Sequence, residues 1–301
     1  MLRPLRSTTA ALAVVLAATL TGPAGQARAP QAVEPRAPQV VYGTQFDHIN
    51  DWYAQPNGKK SQSEYHAYNL WPTQGALQVV TRRHCAAPGV ALTQANASAK
   101  RCNTYGETRY STGRAHIDLR VPRKRGFEVE FSTLLPGKPV AGTRQALWMH
   151  SLRKGDQYCD QKGRGMPELD ILEWYGSRPG RSTSTTHLGC MKRKPLKSYR
   201  EMSAKPVDTG VWQRWMVRRK GRTISYFRIQ GDGSTTRLGR HTCGTGKFKA
   251  LSNKSCNRML RHGKWRLIVN GEVFGGKKGP RWAQPFPVQK MYLDWVQVRA
   301  L

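Results

Sequence analysis

The sequence predicts an all-β fold of two packed antiparallel sheets, and three observations carry that expectation. From about residue 40 onward, apolar residues recur at every second position in short runs, the period of a half-buried strand. Turn signals separate the runs, at Pro136-Gly137, Arg178-Pro179-Gly180, Gly231-Asp232-Gly233 and Gly275-Gly276. No segment beyond the N-terminal region shows a convincing 3.6-residue period, and no internal repeat appears. One large sandwich over 41–301 fits this pattern better than two small domains. With 38% hydrophobic residues, including nine Trp, the chain can fill a substantial core, which excludes a wholly disordered polymer.

The N-terminus reads as an export signal. Arg3 and Arg6 precede an apolar run from Ala10 to Leu20, and small residues follow at Gly22 to Ala24 and at Ala27-Arg28-Ala29. This layout assigns residues 1–29 to a secretion signal peptide, because the apolar run is far shorter than the ~20 residues that span a bilayer. No later segment is long and apolar enough to span. Arg3 and Arg6 are not adjacent, so a twin-arginine signal is not supported. Residues 30–40 hold three prolines and no periodicity, which predicts a short extended linker.

A secreted, extracellular protein has an oxidising home, and the six cysteines fit one. An even count there favours three disulfides, and pairing neighbours gives 85–102, 159–190 and 243–256. No C-x-x-C occurs and no Cys stands at zinc-finger spacing from a His, so no metal or other cofactor is expected.

Charge describes the company the chain keeps. Fifty Lys and Arg against 18 Asp and Glu give +32, and losing Arg3, Arg6 and Arg28 with the signal leaves +29. Such an excess excludes an acidic solvating protein and points to anionic surroundings: wall polymers, acidic polysaccharide or nucleic acid. The basic run Lys192-Arg-Lys194 with Lys197 and Arg200 is expected to be solvated loop surface. No nucleic-acid motif accompanies it, so nucleic acid is a minor alternative. A monomer is expected.

Within the domain, Ala115, Ile117, Leu119 and Val121 share one face against Arg114, His116, Asp118 and Arg120 on the other. A turn at 122–126 leads into Phe127, Val129 and Phe131, alternating with Glu128, Glu130 and Ser132, so the two runs read as a hairpin. Trp265, Leu267 and Val269 alternate with Arg266 and Ile268, and Met291 to Val298 forms another strand.

Acidic residues are scarce, yet three fall within six positions in Pro167-Glu168-Leu169-Asp170-Ile171-Leu172-Glu173-Trp174. Leu169, Ile171 and Leu172 make this a strand with one face in the core, and strict alternation puts Glu168 and Asp170 on the other. Glu173 would then point inward, where an unpaired carboxylate costs several kcal/mol. One extra residue near Ile171–Leu172, a β-bulge, returns Glu173 to the carboxylate face. Three carboxylates on one face repel, so at least one pKa is expected to rise. A carboxylate kept ionised beside a carboxylic acid kept protonated is what cleavage of a glycosidic bond requires. Four strand steps span ~13 Å between backbones, so the two glutamates must lean together across Asp170. Spacing alone orders neither their roles nor the stereochemistry.

The run E-L-D-I-L-E resembles the catalytic signature of glycoside hydrolase family 16, the laminarinase and endo-β-glucanase group, in its E-x-D-x-x-E bulged form. Further segments resemble the family in the same order: Thr44-Gln-Phe-Asp47, Gly75-Ala-Leu-Gln-Val-Val80, Ser111-Thr-Gly-Arg114, Ala146-Leu-Trp-Met149 and the closing Met291 to Val298. The resemblance spans about 42–300 and implies a concanavalin A-like β-jelly-roll whose concave sheet forms a cleft. It implies Glu168 as nucleophile, Glu173 as general acid/base and Asp170 as the assisting carboxylate of a retaining double displacement on a polysaccharide, β-1,3 or β-1,3-1,4 glucan. His187, in Thr185-Thr-His-Leu-Gly189, resembles the family's histidine strand and is expected to hydrogen-bond the sugar or Asp170. Trp148 and Trp174 are expected to stack on sugar faces, with Trp212 and Trp215 as weaker candidates.

The chain departs from the family where Gly165-Met166-Pro167 replaces an aromatic residue, in the basic loop 153–164, and at Val269 to Gly276. These departures bear on the substrate, so an acidic or sulfated polysaccharide is the alternative, followed by a non-catalytic carbohydrate-binding sandwich. Asp294 resembles a position that binds structural calcium in some members; a lone acid on a strand is weak support for that.

Overall fold

The computed structural model describes residues 39–46, 52–55, 58–60, 62–123, 126–152, 167–190, 197–249 and 253–301, with side chains left out at 59–60, 189–190, 197–205, 253 and 255. The signal peptide and most of the linker lie outside these residues, as do the loop 153–164, the run 192–194 and Cys159. Alternating apolar runs form strands as expected: the fold is all-β, two sheets of antiparallel strands apart from one parallel pair, packed as a jelly-roll sandwich.

The larger sheet follows the order β16 (Thr235–Thr242), β15 (Thr223–Ile229), β14 (Trp212–Lys220), β9 (Phe127–Leu134), β18 (Gln289–Ala300), β6 (Ala76–Cys85), β7 (Thr108–Thr112), β4 (Ser63–Tyr65) and β3 (Lys59–Lys60). To it β1 (Gln39–Gln45) adds on β18 and β5 (Leu70–Thr73) on β6. Gln39 and Val40, placed in the linker by composition, thus begin a strand. The smaller sheet runs β13 (Lys197–Pro206), β12 (Arg181–Cys190), β11 (Glu168–Tyr175), β10 (Thr143–Ser151), β17 (Lys264–Val273), β8 (Arg114–Arg120) and β2 (Tyr53–Ala54).

The core lies between the sheets. Ala115, Ile117 and Leu119 of β8, Phe127, Val129 and Phe131 of β9, and Trp265, Leu267 and Val269 of β17 meet there. Burying each such side chain contributes about 1.5–3 kcal/mol, so this interface holds the sandwich. β8 and β9 do not form the expected hairpin: β8 pairs with β17 and β2, and β9 with β14 and β18, so the two strands belong to different sheets. Each run has an apolar face, and both faces are buried in the core between the sheets, which alternation alone satisfies whichever edge a strand pairs with.

β9 is buried on its other face too, because Arg214, Arg218 and Arg299 pair with Glu128 and Glu130 there. A short helix, α1 (Asn253–Leu260), was not expected from the pattern. Its buried Cys256, Met259 and Leu260 fall at i, i+3 and i+4, a stripe too short to stand out as a period. Cys256 bonds Cys243, and Cys85 bonds Cys102, as nearest-neighbour pairing expected. The third expected pair, Cys159 with Cys190, includes a residue outside those described. No helix among the described residues is long and apolar enough to cross a membrane.

Candidate active site

Strand β11 carries the three acids, and its backbone contains the expected bulge. Asp170 pairs with Thr185 and Glu173 with Thr183 on β12, so three steps on one strand face two on the other. On the β10 side Trp148 pairs with Asp170 and Leu147 with Leu172, which identifies Ile171 as the extra residue. Ile171 and Leu172 both enter the core, and Ser184 Oγ donates to the Ile171 carbonyl at 2.8 Å. Glu168, Asp170 and Glu173 stay on the outward face of the smaller sheet, each less than a tenth exposed.

The bulge that returns Glu173 to this face sends its neighbour inward. Trp174 is fully buried in the core, its indole N–H donating to the Pro179 carbonyl at 2.9 Å, so it cannot stack on a sugar at the acids. Trp215 is likewise core, and Trp212, half exposed, belongs to the other sheet. Trp148 does lie beside Asp170, with Nε1 donating to Asn270 Oδ1 at 2.7 Å and the Arg114 guanidinium 5.5 Å from its ring. It is only 4% exposed, which makes it a floor to the site. A row crosses the sheet from Asp170 through Trp148, Ile268 and His116 to Tyr53. Tyr53 is well exposed and packs 4.9 Å from the His116 ring, so it offers the open aromatic face that Trp174 does not. Two-residue β2 is too short for periodicity to mark it.

The acids are differently held. His187 Nε2 hydrogen-bonds Asp170 Oδ2 at 2.9 Å and lies 3.9 Å from Glu168 Oε1. His150, directly across from Glu168, is kept towards its neutral form by burial. Glu173 takes the Arg144 guanidinium on Oε1 at 2.5 Å, the Tyr175 hydroxyl at 3.1 Å and the Thr185 hydroxyl on Oε2 at 3.4 Å. Burial raises the Glu173 pKa above the ordinary carboxylate value, the Asp170 charge raises it further, and Arg144 opposes both. Arg144 also pairs with Glu272 across β17. Burial works against its charge, but Glu173 and Glu272 outweigh burial and keep the guanidinium protonated.

Arg144, Tyr175 and Glu272 had not been singled out in the sequence. Arg144 shares a strand face with Trp148 two repeats away, which is the signal that could have found it. Glu168, Asp170 and His187 offer oxygen and nitrogen atoms all within 4.8 Å of one another, and a cation there would have to displace the His187–Asp170 hydrogen bond. Asp294 joins no such cluster among the described residues.

No protein-family model matches this sequence, and no curated protein matches it. Solved structures do share the fold. A laminarinase from Rhodothermus marinus is 17% identical with a TM-score of 0.61, over 88% of this chain and 100% of its own. A non-specific endo-β-1,3(4)-glucanase of family GH16 is 18% identical with a TM-score of 0.60, over 88% and 95%. A structure reported with endo-acting O-glycanases that initiate mucin breakdown, from the human gut microbiota, is 16% identical with a TM-score of 0.60, over 90% and 93%. At such identities the likeness is one of fold.

Proposed function

We propose that this chain is a secreted, endo-acting glycoside hydrolase of the family 16 type that cleaves β-1,3 or β-1,3-1,4 glucan with retention. The observation that carries the reading is the bulged strand holding Glu168, Asp170 and Glu173 on one face, with the carboxyl of Glu173 pushed up. A raised pKa suits a proton donor, so Glu173 is the general acid and Glu168 the nucleophile.

In the first step the Glu168 carboxylate attacks the anomeric carbon. The bond to the leaving oxygen breaks, and that oxygen takes the proton from Glu173. In the second step the Glu173 carboxylate takes a proton from water, whose oxygen attacks the anomeric carbon and expels Glu168. The product keeps its configuration and Glu173 regains its proton. Burial, and with it the charge of Asp170 that His187 holds in place, raises the affinity of Glu173 for the proton it donates in the first step. Arg144 and Tyr175 position the Glu173 carboxyl.

Reducing-end release from laminarin and lichenan tests the reading. Glu168→Gln should lose at least about 10³-fold in kcat while its thermal melt is unchanged. Full activity in Glu168→Gln would reject the assignment. No release by the wild type from any of a broad polysaccharide panel would reject the enzyme and leave a carbohydrate-binding sandwich. A second reading, the same mechanism on an acidic or sulfated chain, is favoured by a cluster of cations next to Glu173.

A further inference from the structure

Beside Glu173, at the end of β11, a cavity of about 650 Å³ opens between 140–144, Tyr175–Arg178 and 274–285. Arg144, Arg178, Lys277, Lys278 and Arg281 line it. Arg144 is already matched by Glu173 and Glu272, but among the described residues Arg178, Lys277, Lys278 and Arg281 pair with no carboxylate. Four uncompensated cations around one concavity repel one another, and an anion relieves that repulsion. In a protein of +32 a basic surface is unremarkable; a walled cavity lined this way is not.

The cavity also has an aromatic wall. The Tyr175 and Phe274 rings lie 6.0 Å apart and within 9° of parallel. The Arg144 guanidinium sits 6.0 and 5.7 Å from these two rings, and that of Arg178 lies 5.0 Å from Tyr175. The 274–285 segment is tied to its surroundings at several points. Gly142 has φ +86°, and a Cβ there would meet Pro280 N at 2.5 Å, so only glycine lets the two segments touch. The Phe274 N–H donates to the Gly142 carbonyl at 2.9 Å, and Phe286 is buried against Tyr110 and Val273. Arg83, fully buried, donates to the Trp282 carbonyl at 3.2 Å and the Gln284 carbonyl at 2.5 Å. These ties hold the segment that carries Arg281 in place before any ligand arrives.

Arg144 and Tyr175 belong both to the cavity and to the hydrogen bonds of Glu173, so the cavity adjoins the Glu173 carboxyl. We propose that this cavity is a subsite for an anionic substituent, a sulfate ester or a uronate carboxylate, on the polysaccharide chain held at Glu168 and Glu173. The proposal rests on the hydrolase reading for its orientation, but binding can be measured without turnover.

The experiment uses the full chain carrying Glu168→Gln and calorimetric titration with neutral laminari-oligosaccharides, sulfated oligosaccharides and uronate-containing oligosaccharides. A triple variant, Lys277→Ala, Lys278→Ala and Arg281→Ala, removes three cavity cations. A second triple variant, Arg237→Ala, Arg240→Ala and Lys249→Ala, removes equal charge from exposed positions away from the cavity. The expected result is anionic ligands binding at least about tenfold tighter than neutral ones. The cavity variant should erase that advantage, and the control variant should keep it. The sulfated and uronate arms identify which anion the cavity prefers. Equal loss in both variants, or no preference for anionic ligands, overturns the subsite. Wild-type hydrolysis of laminarin is scored separately. Anion preference without hydrolysis rejects the enzyme and keeps the subsite, and hydrolysis without anion preference does the reverse.

Discussion

Glu173 is held by opposing forces, and its neighbours set where it titrates. Burial and Asp170 favour its protonated form while Arg144 favours the carboxylate. A general acid must carry its proton, so activity should fall as pH rises through the raised pKa, and this alkaline limb belongs to Glu173. The linked stability has the same sign. The folded state holds this proton more tightly than the unfolded chain does, so the contribution is complete below the unfolded pKa and lost as pH rises through the folded one. Arg144→Met removes the opposing cation. The alkaline limb of kcat/KM should then move to higher pH, and urea unfolding should show a loss of about 3 kcal/mol from the broken buried pairs. Arg144→Lys should restore much of both, and an unmoved limb in Arg144→Met would refute the coupling. Adjacent strand residues face opposite ways, so an outward Glu173 puts Trp174 in the core, where the structure has it.

The bulge makes β11 chemically useful. Deleting Ile171 restores strict alternation, and either Glu173 or the pair Glu168 and Asp170 must then face the core. The expected outcome is loss of hydrolysis together with a lower melting temperature, followed by circular dichroism. Activity near wild type in the deletion would show that the three acids need not share a face. This bulge was legible because an acid at the wrong parity is costly enough to demand an explanation. The β8–β9 connection was not legible, since alternation shows that a strand has an apolar face and says nothing of which edge it pairs with. α1 escaped notice because eight residues hold barely two turns. The cavity beside Glu173 was hidden for a third reason: it is assembled from three segments that are far apart in sequence.

At the scale of the molecule the sandwich is plain from period and turns, and the proposed activity should carry the mark of its surface charge. Raising salt from about 0.1 to 1 M shortens the screening length from about 10 to 3 Å. Hydrolysis of an anionic chain should weaken accordingly, whereas that of neutral laminarin should stay within about twofold. Equal salt sensitivity on both substrates would count against a charge-reading surface. The sheet order has a consequence in time. β18, the last of the eighteen strands among the described residues, lies between β9 and β6 in the middle of the larger sheet. Arg83 likewise waits for carbonyls 199 and 201 residues downstream. The β9 flank and the β6 flank of that sheet are joined only once β18 is in place, so the larger sheet is completed by a late segment of the chain. A fold whose central joint lies so late in the chain commits to its native state only after nearly all of its contacts can be made, and contacts so distant in sequence favour slow folding.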